Sequence, residues 1–191
     1  MTANTPQSCK SKGRTFQQYV ARELQTVTGL SESDIGSRGM GGQGIDIMLS
    51  ARARQKIPFA IECKRAETWT CPSWWRQTVA NARLEHLHPA LIFKENRRRA
   101  YVMLVSTTFH MLTGIDTELK IEWMNMVKLS HVWRMKQWIS EAERTAGMNR
   151  SPRLSIMCAD GIPVTVIPFC DFCYLVRQWS QWTDTHGSEG V

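Results

Sequence analysis

The chain has 191 residues, of which 42% are hydrophobic and 21% are charged, a balance that excludes collagen-like, low-complexity and wholly disordered proteins. Its formal charge of +7 and its pI near 9.3 favour a polyanionic partner, either nucleic acid or an anionic membrane surface. We expect no membrane partner, because the chain lacks an apolar run of about 18 residues and shows no signal-peptide core at its N-terminus.

Six cysteines are spread along the chain without a secretory signal, which predicts a reducing, cytoplasmic setting. Cys170 and Cys173 form a C-x-x-C pair, which is half of a zinc site or a redox pair in some proteins. The sequence shows no second pair of ligands at a matching spacing, and the neighbouring residues are apolar. We therefore interpret these two residues as core cysteines.

The first half of the chain carries both helical and strand patterns. Residues 15–26 have apolar side chains at helical spacing, which predicts an amphipathic helix. Residues 31–44 contain five glycines and predict a loop that can approach a ligand closely. Residues 45–50 and 58–64 are short and apolar, which predicts two strands joined by a basic connection at 51–56.

The next segments continue the alternation of helix and strand. Residues 73–86 predict a helix with Pro72 near its start. Residues 90–94 and 100–106 predict two strands on either side of a charged turn at 94–99. The order α-β-β-α-β-β indicates a mixed α/β core.

The last third predicts a helical region followed by a hairpin and a helix. Residues 118–146 lack glycine and proline and have helical periodicity, which predicts one long helix or two abutting ones. Residues 153–158 and 164–169 predict a β-hairpin, and residues 171–182 predict a closing helix.

These elements predict one core with an extension. We expect flexible ends at 1–11 and 183–191, which are polar. The core would occupy residues 12–115. Residues 116–182 would form a C-terminal helical and β-hairpin extension, packed on the core or at an interface.

Three charged residues on the two central strands form a candidate catalytic set. If the strands pair, Asp46 lies beside Glu62 and Lys64, which share one face of their strand and are about 6.6 Å apart along it. Two carboxylates and the backbone carbonyl of Cys63 would suit a hard cation such as Mg²⁺. The alternative is that the E-x-K pair is only a salt bridge at a solvated edge and Asp46 only a turn residue.

Several short segments resemble those of a known superfamily: K-G-x-x-F (12–16), S-R-G-M-G-G-Q-G (37–44), G-I-D-I (44–47), I-E-C-K (61–64) and L-I-F-K-E-N-R (91–97). In this order they resemble the G-x-D…E-x-K signature of PD-(D/E)XK nucleases, and are most similar to the Holliday-junction-resolvase-like and phage endonuclease members. The resemblance covers about residues 12–106. It implies a restriction-endonuclease-like mixed β-sheet core flanked by helices.

The resemblance also implies residue roles. It makes Asp46 and Glu62 metal ligands and Lys64 the catalytic lysine. Members commonly add an acid from the first helix, where this chain has Gln17 after the matched aromatic residue; Glu23 is the substitute that we expect.

Further along, Gln77 resembles a glutamine that some members place near the metal, although it is equally well interpreted as a solvated helix residue. Basic residues fit a DNA track beside this site: Arg38 in the glycine loop, and Lys94, Arg97, Arg98 and Arg99 at the charged turn. A solvated hairpin tip is the alternative for the turn.

The function implied is a Mg²⁺-dependent endodeoxyribonuclease, with Mn²⁺ as a substitute, acting in the cytoplasm of a bacterial or phage-infected host cell. Branched DNA and ordinary duplex are both candidate substrates, the latter for a repair or restriction-like nuclease. A non-catalytic DNA-binding or phage-accessory protein with a nuclease-like fold is the alternative from another class. We also predict a homodimer, because residues 118–146 carry more large apolar side chains than one surface stripe needs. The alternative is that this helix is buried within the monomer.

Overall fold

The computed structural model describes residues 6–39, 44–113, 127–128, 139, 154–157 and 162–186. The helices are α1 (Pro6–Thr28), α2 (Ala51–Lys56), α3 (Cys71–Glu85), α4 (Ser106–Thr113) and α5 (Phe169–His186). The strands are β1 (Ile35–Ser37), β2 (Ile47–Leu49), β3 (Phe59–Arg65), β4 (His88–Lys94), β5 (Tyr101–Val105), β6 (Val127–Lys128), β7 (Leu154–Met157) and β8 (Pro163–Pro168). Among these residues, no helix is long and apolar enough to cross a membrane.

A mixed sheet forms the centre of the described structure, with the strand order β3-β4-β5-β8-β7-β6. Strands β3 and β4 are parallel, as their connection through α3 requires, and β4, β5, β8 and β7 are successively antiparallel. The two-residue β6 pairs in parallel with β7, and β1 and β2 form a separate antiparallel pair. This arrangement confirms the predicted α/β class with its mixed sheet and flanking helices.

The two faces of the sheet are covered by different helices. Successive residues of a strand point to opposite faces, so neighbouring residues of β3 contact different helices. Phe59, Ile61 and Cys63 of β3 belong to the core that α1, α4 and α5 share. Glu62 and Lys64 point to the other face, where they contact α3. The charged pair of β3 and helix α1 therefore lie on opposite sides of the sheet.

The C-terminal hairpin and helix belong to the same core. Strand β8 pairs with β5 along its whole length, from Tyr101 opposite Pro168 to Val105 opposite Val164. Helix α5 packs on α1, and the Phe172 ring meets the Phe59 ring edge-on at 5.2 Å. The predicted hairpin and closing helix are confirmed: β7 and β8 pair as antiparallel strands of the central sheet, and α5 follows β8.

Several predicted element boundaries were wrong. Helix α1 begins at Pro6, within the segment that was predicted to be a flexible end, and α5 extends beyond residue 182 to His186. Helix α2 occupies the predicted connection, because Ser50 caps it by accepting a hydrogen bond from the Ala53 N–H and Ala53 is fully buried. Strand β1 forms within the predicted glycine loop, since Ile35 is buried and pairs with Leu49.

The predicted pairing of the two central strands was also wrong. Strand β2 pairs with β1, and contact with β3 is made through residue 46, which precedes β2. Of the predicted long helix at 118–146, the structure describes Val127, Lys128 and Ile139, and the rest lies outside the described residues. Ile139 is helical, as predicted, and is buried in the core of this chain. Val127 and Lys128 form β6 because they pair with β7, so the helix prediction fails for these two residues.

Candidate active site

Asp46 is held against the outer edge of β3 by hydrogen bonds of its backbone and side chain. Its N–H donates to the Ile61 carbonyl at 3.1 Å, and its own carbonyl accepts from the Arg38 N–H at 2.8 Å. Its carboxylate Oδ2 accepts from the Cys63 N–H at 2.7 Å. Asp46 therefore bonds to two residues of β3, to Ile61 through its backbone and to Cys63 through its side chain. Cys63 lies between Glu62 and Lys64 in the strand.

Glu62 is the buried carboxylate of the site, with a side chain that is 1% exposed. Its Oε1 accepts from Asn81 Nδ2 at 2.6 Å, and its Oε2 lies 3.4 Å from Lys64 Nζ. Burial raises the pKa of Glu62, and the negative charge of Asp46 raises it further, while Asn81 and Lys64 act in the opposite direction. Asp46 and Lys64 thus both act electrostatically on Glu62, although the strand pairing that was expected to bring Asp46 there does not form.

Lys64 is partly buried, as Asp46 is, and its side chain is 23% exposed. Its Nζ donates to Gln77 Oε1 at 3.0 Å and lies 3.4 Å from Glu62. The structure therefore brings Gln77 to the predicted site, even though that residue is itself exposed on α3.

Asn81 is a residue of this site that the sequence did not lead us to expect. It lies one helical turn after Gln77 on α3, so the two side chains lie on the same face of the helix. This four-residue spacing was the available signal. The spacing does not reveal, however, that the shared face would lie over Glu62 and Lys64.

The donor set fits a divalent cation. Asp46 and Glu62 are close enough for the charge of one to raise the pKa of the other, and a cation relieves this kind of repulsion. Oxygen ligands of this type suit Mg²⁺ or Mn²⁺. Among the described residues, no third His, Cys, Asp or Glu side chain joins these two carboxylates in a group that could hold a metal ion.

Glu23 is not brought to the other predicted residues. It lies on α1, across the sheet from Glu62. Burial raises the pKa values of Tyr19 and Cys173, and the charge of Glu23 raises them further. Tyr19 in turn contacts Phe169 at the start of α5. These neighbours place Glu23 beside α5, and its catalytic role stays a prediction.

Arg38 lies beside Asp46, in the loop that joins β1 and β2. Its Nε donates to the Ile45 carbonyl at 2.8 Å, so the side chain bridges the loop. Gly44, with a φ of +105°, lies next to the guanidinium, since a Cβ on it would be 3.2 Å from Arg38 Nη2. The predicted phosphate-binding arginine is therefore adjacent to the backbone of Asp46.

The basic turn after β4 contains both half-buried and exposed cations. Lys94 lies with its Nζ 5.8 Å from the centre of the Phe16 ring, and burial, followed by the charge of Arg65, lowers its pKa. The side chains at the tip are exposed: Arg97, Arg98 and Arg99. Arg98 Nε lies 3.5 Å from Glu95 Oε2, a weak surface pair. The structure therefore presents this turn to solvent.

The tryptophans near α3 and Cys173 of the C-x-x-C pair pack in the core, whereas the interpretation of Cys170 as a core cysteine was wrong, because its side chain is exposed. Cys173 is buried, which raises its pKa to about 12, whereas Cys170 is exposed. Trp75 is 2% exposed, and Trp69 meets Phe93 edge-on at 5.1 Å.

Comparison with known proteins gives one family. The model of the phage putative PDDEXK endonuclease family matches residues 8–132, which is more than half of the chain. The chain belongs to this family. The matched range contains Asp46, Glu62 and Lys64 together with β1 to β5, so the nuclease resemblance seen in the sequence is confirmed at the level of the superfamily. No curated protein and no solved structure matches the chain.

Proposed function

We propose that the chain is a metal-dependent endonuclease that hydrolyses phosphodiester bonds in DNA. The observation that carries the proposal is the position of Asp46, bound to the Cys63 N–H, beside the Glu62–Lys64 pair at the outer edge of β3, with Glu62 buried. A nuclease family and a formal charge of +7 are consistent with a DNA substrate.

The cation would be held by Asp46 and Glu62, with the backbone carbonyl of Cys63 as a further oxygen ligand. The Cys63 N–H donates to Asp46, so the backbone of Cys63 lies against one of the two proposed ligands. Mg²⁺ is the expected ion and Mn²⁺ a substitute. When bound, such an ion polarises a phosphodiester and acidifies a water molecule.

Lys64 would act on the water or the phosphate rather than on the metal. Its ammonium is half-buried and bound by Gln77 and Glu62, which fixes its position beside the two carboxylates. From there it can orient the attacking water or offset negative charge on the phosphate as the bond to the leaving oxygen breaks. Gln77 would assist by holding Lys64.

DNA would reach the site along basic side chains. Arg38 lies beside Asp46 and can contact a phosphate next to the scissile bond. The contacts further away would come from the turn after β4, through Lys94, Arg97, Arg98 and Arg99.

Branched DNA such as a Holliday junction is the substrate we propose, with linear duplex as the substrate of a repair or restriction-like enzyme. The test is Mg²⁺-dependent cleavage of a four-way junction, a matched linear duplex and a single strand. Cleavage of the junction alone supports the resolvase-like function, and cleavage of the duplex supports the second. Binding of DNA without cleavage of any substrate would favour a non-catalytic DNA-binding or phage-accessory protein and contradict the proposal.

Conservative substitutions test the catalytic set. We expect Asp46→Asn and Glu62→Gln each to abolish cleavage while DNA binding persists, because each removes a ligand charge and keeps the side-chain shape. Lys64→Ala should lower the rate strongly and leave Mn²⁺ affinity nearly unchanged, as measured by calorimetry. Turnover at the wild-type rate in either carboxylate variant would contradict the proposed site.

A homodimer in the cytoplasm of a bacterial or phage-infected host cell is the assembly that we propose. One site of this kind cuts one strand, so paired incisions are most simply made by two sites related by symmetry. The apolar residues within 118–146 are the proposed interface, apart from Ile139, which is buried in the core of this chain. Light scattering at micromolar concentration tests it. A protein mass of 21.9 kDa that stays that of a single chain when DNA is bound would contradict the dimer.

A further inference from the structure

Helix α3 and strand β3 are matched in spacing where they meet at the site. Gln77 and Asn81 are four residues apart, about 6 Å along a helix, and Glu62 and Lys64 are two residues apart, about 6.6 Å along a strand. Asn81 contacts Glu62, and Gln77 contacts Lys64. The near-equal spacings therefore allow both contacts to form at once.

We propose that Asn81 is a positioning residue that orients Glu62 for binding the divalent cation, an inference that rests on the proposed nuclease function. The terminal torsion of a glutamate is broad, so packing alone does not fix the plane of its carboxylate. Asn81 Nδ2, at 2.6 Å from Oε1, supplies a directional contact that fixes this plane. The other oxygen, Oε2, lies on the side of Lys64.

The chemistry of an amide suits this role. Glu62 is 1% exposed, so its carboxylate has lost most of its water and needs hydrogen-bond donors from the protein. A second lysine or an arginine in place of Asn81 would supply them, but its positive charge would compete with the cation. A neutral amide donates a hydrogen bond and leaves the negative charge of Glu62 for the metal. Asn81 thus stabilises the ligand without replacing the metal.

The test compares the metal dependence of two variants on α3. Asn81→Leu keeps the side-chain size and removes the donor, and Leu84→Ala, at a residue that is 79% exposed on the same helix, is the matched control. The measurements are the Mn²⁺ concentration that half-saturates cleavage, with the DNA substrate that the wild type cleaves, and Mn²⁺ binding by calorimetry. We expect Asn81→Leu to raise the half-saturating Mn²⁺ concentration and to lower the Mn²⁺ affinity, each by about 10- to 100-fold. This is the usual cost of losing a partner that orients a ligand.

A purely structural role gives a different result. It would lower the melting temperature and the active fraction at every metal concentration, and the half-saturating Mn²⁺ concentration would stay at the wild-type value. That outcome, with an active wild type, would overturn the role of Asn81 alone. A wild type that neither cleaves DNA nor binds Mn²⁺ would overturn the metal-dependent nuclease and this inference with it. If Asn81→Leu does not fold, Asn81→Ala replaces it in the same measurements, with the same criteria.

Discussion

The backbone conformation of Gly44 sets the direction in which the chain approaches Asp46. Its φ of +105° is a conformation that other residues rarely adopt, and a Cβ there would lie 3.2 Å from Arg38 Nη2. We expect Gly44→Ala to destabilise the fold by about 1–3 kcal/mol and to lower cleavage, because Asp46 would shift. Gly39→Ala is the control in the same loop, since a Cβ at Gly39 meets nothing within 4 Å. Thermal unfolding and initial rates would show the difference, and equal losses in both variants would contradict this explanation.

The three charged residues and Asn81 differ in how far the sequence could predict them. Glu62 and Lys64 are two residues apart on one strand, so their common face follows from local geometry alone. Asn81 could not be predicted, because its contact depends on how α3 lies across β3. The same limit applies to Glu23, since a helical position does not tell which face of the sheet its helix covers.

Asp34 connects β1 to α2. Its carboxylate accepts from the hydroxyl groups of Ser31 and Ser50, each at 2.8 Å, and its carbonyl accepts from the Ser50 N–H at 2.9 Å. Ser50 is also the residue that caps α2, through its hydrogen bond with the Ala53 N–H. These contacts lower the pKa of Asp34, with the Ser31 hydroxyl as the largest cause and the Ser50 hydroxyl as the second.

The lowered pKa of Asp34 predicts a stability that depends on pH. A carboxyl whose folded pKa lies below its unfolded value stabilises the fold above the unfolded pKa, about 3.9, and loses this effect as the pH falls through the folded pKa. We therefore expect Asp34→Asn to lower the melting temperature at pH 7 and to converge with the wild type below pH of about 4. The exposed neighbour Glu32, changed to Gln, is the control. A constant difference between Asp34→Asn and the wild type down to pH 3 would contradict the prediction.

The exposed turn after β4 predicts a salt dependence of DNA binding. Replacing Arg97, Arg98 and Arg99 by Ala should weaken affinity, and each lost phosphate contact should reduce the log–log salt slope by about 0.9 for duplex DNA. Arg177→Ala, at an exposed arginine on α5, is the control for a general loss of charge. Fluorescence anisotropy over a series of salt concentrations measures the slope, and an unchanged slope in the triple variant would assign the turn to solvent.

The sequence predicted the elements that are long and rich in apolar residues. Strands β3, β4 and β5 are nearly continuous apolar segments, and they lie within a few residues of their predicted bounds. Helix α2 and strand β1 were missed because each is short and has one fully buried side chain, Ala53 or Ile35. Their structure comes from a cap and from pairing, which hydrophobic periodicity does not detect.

At the scale of the whole molecule, the fold depends on residues beyond those that the family model matches. The match ends at residue 132, whereas β8 and α5 begin at Pro163 and Phe169. Strand β8 lies inside the sheet against β5, and α5 covers the face that α1 shares. The sequence could not show that β8 lies between β5 and β7, because β5 and β8 are far apart in the chain. The sequence pattern of a hairpin does not identify the strand beside it.

This arrangement predicts that residues 1–132 do not fold by themselves. Such a fragment leaves the edge of β5 unpaired and loses Phe172 and Trp179, which are 0% and 5% exposed in the full chain. We expect the fragment to be digested rapidly by protease and to lack a cooperative thermal transition.

Single substitutions in the full chain test the same dependence without a truncation. Phe172→Ala should cost about 3–5 kcal/mol, a large part of the roughly 5–15 kcal/mol that stabilises a typical domain. Tyr174→Ala, at a residue that is 44% exposed on the same helix, should cost much less. Urea unfolding followed by tryptophan fluorescence measures both variants. Equal losses, or a cooperative transition in the 1–132 fragment at the melting temperature of the full chain, would show that α5 contributes little to the nuclease core.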